Sequence, residues 1–194
     1  MESVKKLFGL GQYPVVYVKS SIDGKEYLVR DLPDKQEAAN LLAKVRIKLN
    51  NLKIHLEGKY PDKPQVKQLI QNFRNDPKRF LESTPDAEFT SYSVNKGESV
   101  HLCLRQREGA DESLVKEEVM VFVAIHEMSH ILTESLGHGP DFWNNFAWLL
   151  KEAELINIYK HQDFKAHPVK YCGMSITDEP VYKEGDDLSI GNMK

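Results

Sequence analysis

The chain has 194 residues, 41% of them hydrophobic, which suffices for one well-buried core and is ordinary for a soluble globular domain. No apolar run reaches the roughly eighteen residues that span a bilayer, and Met1-Glu2-Ser3-Val4-Lys5-Lys6 leads into no signal-peptide core; the expectation is a soluble intracellular protein, neither secreted nor membrane-bound. The net charge of −3 hides an asymmetry, because residues 1–81 carry 16 Lys and Arg against 9 Asp and Glu, whereas residues 82–194 carry 10 against 20.

A basic first part can serve phosphate backbones, but two solvated faces attracting each other within one fold is the preferred reading. No cluster of Lys and Arg is interleaved with aromatics, so any nucleic-acid binding is expected to be weak. Two cysteines, Cys103 and Cys172, are too few for a disulfide framework and are expected as reduced thiols.

Residues 13–18 and 26–30 are rich in β-formers and flank Asp23-Gly24, which predicts a β-hairpin. After Pro33-Asp34, the positions Ala38, Leu41, Leu42, Val45, Leu49, Leu52 and Leu56 recur at helical spacing and predict a long helix buried along one face. His55, near its end, reads as a surface residue. Residues 58–64 form a connector with Gly58, Pro61 and Pro64, followed by a short helix over 65–73 and another helical turn from Asn75-Asp76-Pro77 to about residue 82.

Strands are predicted over 89–94 and 99–105, joined at Asn95-Lys96-Gly97. A strand beside a catalytic helix can hold an extended substrate by main-chain pairing if it lies at a sheet edge. A polar loop at 109–112 then leads, with Asp111 or Ser113 as cap, into a helix running to about residue 135. Phe142, Phe146, Leu149, Leu150, Ala153 and Ile156 continue at helical spacing to about residue 158. Residues 159–177 show no clear periodicity and read as an ordered loop or cover over the site, and 178–194 as an acidic, mobile tail.

The chemistry concentrates in His126-Glu127-Met128-Ser129-His130. Two histidines four apart share one helix face, so both rings can reach one ion at about 2.0–2.1 Å. Glu127 is offset from them, which aims its carboxylate at a water on the open side of that ion. The preceding run, residues 119–125, is apolar on every face, so these polar groups should be buried and in need of a cation. Gly137 is placed to stop the helix and Pro140 to start the next one. The reversal at His138 can therefore return a third imidazole and leave a fourth position to water, the pattern of catalytic zinc.

His126-Glu127-Met128-Ser129-His130, followed by Gly137-His138-Gly139-Pro140-Asp141-Phe142-Trp143, resembles the zinc metallopeptidases of the Spartan/SprT and WLM families. Residues 97–105, Gly-Glu-Ser-Val-His-Leu-Cys-Leu-Arg, resemble the WLM strand that ends in a Leu-Arg pair before the active-site helix. The resemblance covers residues 92–155 and implies His126, His130 and His138 as Zn2+ ligands, Glu127 as general base, and protein substrates attached to DNA.

The expected fold is a compact α+β, zincin-like single domain over residues 1–177, with a small mixed sheet packed on a long metal-binding helix. The expected activity is zinc-dependent peptide hydrolysis. The alternatives are a zinc amidohydrolase of small substrates, favoured by a small closed pocket, and a catalytically idle adaptor binding DNA or protein. Asp141 and Glu134 are candidates to orient a ligand histidine. Tyr171, His161 and His167 are candidate oxyanion donors by residue type, and Cys172 is a candidate thiolate latch on the metal.

Overall fold

The computed structural model describes residues 12–181. The acidic tail expected over 178–194 therefore lies outside the described residues from 182 onward. The hairpin forms as expected, with β1 (Val15–Lys19) antiparallel to β2 (Glu26–Arg30). Its turn is stitched by Asp23, whose carboxylate accepts from the Lys25 N–H and the Tyr27 hydroxyl.

Three further strands complete a five-stranded mixed sheet in the order β1-β2-β3-β5-β4. They are β3 (Phe80–Glu82), β4 (Tyr92–Val94) and β5 (Ser99–Leu102). Strands β2, β3 and β5 run parallel, and β4 closes the far edge antiparallel to β5. The turn expected to carry helix to residue 82 is a single 3-10 turn, Pro77–Arg79, after which the chain becomes β3. Asp76 caps that turn through the Lys78 N–H, but pairing of Phe80, Leu81 and Glu82 with Val100, His101 and Leu102 overrides further helix.

Helix α1 (Lys35–Lys59) buries Leu41, Leu42, Val45, Leu49, Leu52 and Leu56 against the sheet and against the helix that begins at Glu117. Helix α2 (Pro64–Asn72) is short and begins on its proline, as the missing N–H permits. Lys44 and Lys48 of α1 pair with Glu117, Lys59 with Glu152, and Arg30 of β2 with Glu112. Basic residues of the first part thus face acidic residues of the second within one fold. His55 is not simply a surface residue: its Nε2 lies 2.7 Å from the buried Glu152 carboxylate, which also accepts from Tyr60.

Helix α3 (Glu117–Leu132) starts later than expected and has no side-chain cap. The residues before it are drawn toward the sheet instead, through Val115 N–H to Leu104 O and a bridge between Arg105 and Leu114. Arg105, 1% exposed, bonds Glu82 at 2.9 Å and also Asp34, while Glu82 accepts from the Arg30 N–H. Arg105 is thereby the clamp that joins β2, β3 and the entry to α1. Helix α4 (Pro140–Leu155) packs along α3, with Phe146 against Phe122.

The segment after α4, expected as an ordered loop or cover, carries regular structure of its own. It contains a small hairpin, β6 (Val169–Tyr171) and β7 (Met174–Ile176), turning at Cys172 and Gly173. Cys172 is bonded to Cys103 in a disulfide across 69 positions of sequence. The expectation of two reduced thiols is corrected by this pairing, and the cysteines no longer argue for a reducing compartment. No helix among the described residues is long and apolar enough to cross a membrane.

Candidate metal centre and active site

His126 and His130 project from one face of α3 as their spacing requires, with ring centroids 5.1 Å apart. Gly137 takes φ +79°, a conformation that glycine adopts without strain, and the chain reverses there. That reversal brings His138 to 5.2 Å from the His126 ring and 4.9 Å from the His130 ring. One ligand nitrogen from each lies within 4.8 Å of the others, a spacing that a single metal ion could share.

The donor chemistry fits such an ion. Burial pushes the His126 imidazole down to about 4, and burial with repulsion from His126 and His138 pushes His130 down to about 3. His138 is lowered mainly by burial. Around neutral pH His126 and His130 are therefore neutral imidazoles, each with one ring nitrogen free to bind a metal, and the shift of His138 acts in the same direction. Among the described residues, no fourth His, Cys, Asp or Glu joins the group.

Glu127 is 4% exposed, and burial pushes its carboxyl up to about 8, opposed by His138 and by the backbone N–H of Ser93. Its Oε1 lies 3.2 Å from His126 Nδ1. A cation nearby would favour the carboxylate over the neutral acid. Ser93 belongs to β4, so the edge of β4 not paired with β5 faces Glu127.

Two residues support the site. Phe142, on the apolar helix face expected to close the core below the metal, sits under all three imidazoles: stacked 4.2 Å from His130, 5.0 Å from His126 and 4.8 Å from His138. Its position four residues after His138, in the first turn of α4, was the available signal. Lys96, in the β4–β5 turn, donates to the carbonyls of His130, Thr133 and Ser135 at 3.0, 2.6 and 2.7 Å. It caps the C-terminal end of α3, where the helix leaves carbonyls unpaired. Gly97 beside it is required for close approach, since a Cβ there would lie 2.7 Å from the Asn72 carbonyl oxygen.

The other sequence candidates separate. Asp141 accepts from the Ser135 hydroxyl, and Glu134 is exposed. His161 pairs with Glu179 at 3.9 Å and His167 is exposed; neither lines the cavities that border the three histidines. Tyr171 does border one of them, but its hydroxyl donates to the Cys103 carbonyl at 2.8 Å and meets Ser91 Oγ at 2.5 Å. The Cys172 latch is corrected: its sulfur is bound to Cys103, because the hairpin turn packs against the end of β5, so it is no thiolate.

No protein-family model matches the chain. Two crystal structures of Wss1 from Saccharomyces cerevisiae, one of them a mutant, align at 22% identity over 66% of this chain. They are covered to 87% and 86%, with TM-scores of 0.48 and 0.47 respectively. The uncharacterized protein 136R of Invertebrate iridescent virus 6 is 29% identical over 82 residues, 42% of this chain and 44% of that protein. The uncharacterized protein R325 of Acanthamoeba polyphaga mimivirus is 36% identical over 169 residues, 86% of this chain and 84% of its own. On that extent of shared sequence, the chain belongs to the family of the mimivirus protein R325.

Proposed function

We propose that the chain is a zinc-dependent peptidase of the kind that its WLM- and SprT-like motifs imply, with His126, His130 and His138 holding the ion. The observation that carries this reading is the convergence of three imidazoles and the Glu127 carboxyl in one cleft beside a free sheet edge. Zinc, when bound, would supply Lewis acidity that polarises the scissile carbonyl and lowers the pKa of water. Glu127 takes a proton from the attacking water as its oxygen bonds the carbonyl carbon, then delivers it to the amide nitrogen as the C–N bond breaks. Tyr171 would steady the developing oxyanion only by giving up its bond to the Cys103 carbonyl.

The cleft supports a peptide over a small amide. Cavities of about 350 and 550 Å3 continue on two sides of Glu127, where a small closed pocket would have favoured an amidohydrolase. Glu127 in the cleft favours catalysis over an idle adaptor, since a purely structural site needs no base and usually takes a fourth protein ligand. The motif resemblance further implies substrates attached to DNA. Contact of the chain with DNA would be electrostatic and would weaken steeply with salt.

The test is Glu127→Gln in the full-length, zinc-loaded protein. Metal analysis should find about one zinc per chain in both proteins, and peptide hydrolysis should fall by about 10²–10⁴-fold in the variant. Hydrolysis within a few-fold of wild type would remove Glu127 from its role.

A further inference from the structure

Strand β1 forms the edge of the sheet far from the histidines, and the direction of its backbone groups follows from its pairing with β2. The Ser20 N–H donates to the Lys25 carbonyl at 2.8 Å, and the Asp31 N–H to the Pro14 carbonyl at 2.9 Å. In an antiparallel pair such bonds recur at alternate residues, so Val16 and Val18 also turn their polar groups to β2. The N–H and C=O groups of Val15, Tyr17 and Lys19 therefore point away from the sheet. Among the described residues only the Lys19 carbonyl has a partner there, the Gln36 side-chain amide at 3.0 Å.

Edge strands are commonly blunted by a bulge, a proline, charges or a covering element, since a bare edge templates another strand. β1 reads Val-Val-Tyr-Val-Lys, with one charge at its end, an unbroken register with β2 and a Tyr17 that is 56% exposed. Pro14 does not protect this edge, because the N–H that it lacks would have faced β2. The opposite edge, β4, has three residues and faces the Glu127 carboxyl, so the two edges are not equivalent.

The register of β1 with itself identifies the occupant. Laid antiparallel on a second β1 about a two-fold axis at Tyr17, the strand sets Tyr17 against Tyr17, Val16 against Val18 and Val15 against Lys19 of the second copy. Each outward group then meets a complementary one: Tyr17 exchanges both bonds with its counterpart, and Val15 exchanges both with Lys19. No other antiparallel register overlaps all five residues. Charges agree as well, since Lys19 lies beside Glu26 of its own hairpin and meets a valine across the new boundary. On the outer face, Tyr17 is opposite Leu28, Leu28 opposite Leu81, and Leu81 opposite His101, which stacks on Tyr92 with ring centroids 4.5 Å apart. Pairing at Tyr17 joins two such rows end to end, with an aromatic cross-strand pair at their centre.

We propose that β1 is a self-association edge through which two copies of this chain form a symmetric dimer with one continuous sheet. The contact is the same patch on both copies, so it closes on itself and leaves the two β4 edges, with their histidine clusters, at opposite ends. A five-residue strand pair buries less surface than a standard interface, so the dimer is weak and concentration-dependent. This inference is independent of the peptidase reading.

Sedimentation equilibrium of the full chain, from micromolar to several hundred micromolar, should show monomer passing to a species of twice the chain mass. Tyr17→Lys sets two ammonium groups opposite each other at an exposed position, and should weaken association by about tenfold or more while leaving the Tm of the dilute protein unchanged. Tyr17→Cys should be joined between chains by a short bis-maleimide, whereas Ile54→Cys, exposed on α1, should not. A monomer at every concentration would overturn the proposal, as would association that Tyr17→Lys leaves intact. Species growing beyond two chains would overturn the closed contact, and equal crosslinking of the two cysteine variants would overturn its place on β1.

Discussion

Lys96→Met isolates the role of the β4–β5 turn in holding the metal helix. The substitution keeps the aliphatic stem and removes the ammonium that donates to the carbonyls of His130, Thr133 and Ser135. A hydrogen bond to a charged group contributes about 1.5–3 kcal/mol. The Ser135 carbonyl belongs to an exposed residue and regains water, so little is lost there. Thr133 is 1% exposed, and leaving its carbonyl unpaired costs about 1–3 kcal/mol, with a smaller contribution from His130. The net expectation is a loss of about 2–4 kcal/mol, or a fall in Tm of about 4–16 °C for a chain of this size. Because the same contacts fix the path from His130 to His138, zinc affinity should also fall by about 10–100-fold. Calorimetric melting of the metal-free protein and competition with a chelating dye measure the two effects separately. A Tm within about 1 °C of wild type would refute the cap, and a lowered Tm with unchanged zinc affinity would refute the link from cap to metal.

His138→Ala should lose bound zinc on equilibrium dialysis, while His161→Ala and His167→Ala keep it; zinc retained by His138→Ala would remove the third ligand. Cys172→Ser opens a crosslink spanning 69 positions, for which chain entropy gives a destabilisation of about 4 kcal/mol, read from the urea midpoint. Thiol titration of the unreduced, unfolded wild type should find no free thiol, and two would refute the bond. Glu82→Gln leaves the Arg105 guanidinium, 1% exposed, with a neutral partner at the inner face of the sheet. The expected cost is about 3–5 kcal/mol in denaturant melts, and a cost under about 1 kcal/mol would show that Asp34 alone satisfies the arginine.

Local periodicity was enough to locate the first hairpin, the long apolar stripe of α1 and the two helices around the metal motif, because side-chain spacing encodes which face is buried. It was also enough to bring His126 and His130 together, since four residues is one helical turn. His138 joined them through a reversal that Gly137 and Pro140 announce. Pairing across distance was not legible. β3 lies where local signals read helix, and it became strand because β2 and β5 offered hydrogen-bonding edges on both sides. The β6–β7 hairpin is too short to show a period, and the Cys103–Cys172 bond joins residues whose proximity depends on how that hairpin folds back onto β5. Sequence alone pointed to His126, His130, His138 and Glu127, because residue type and spacing within a few turns are local properties. Only the tertiary structure decided that β4 is an edge strand facing Glu127 and that Lys96 and Phe142 brace the segment carrying the three histidines, because those are relations between residues that meet only when the chain is folded.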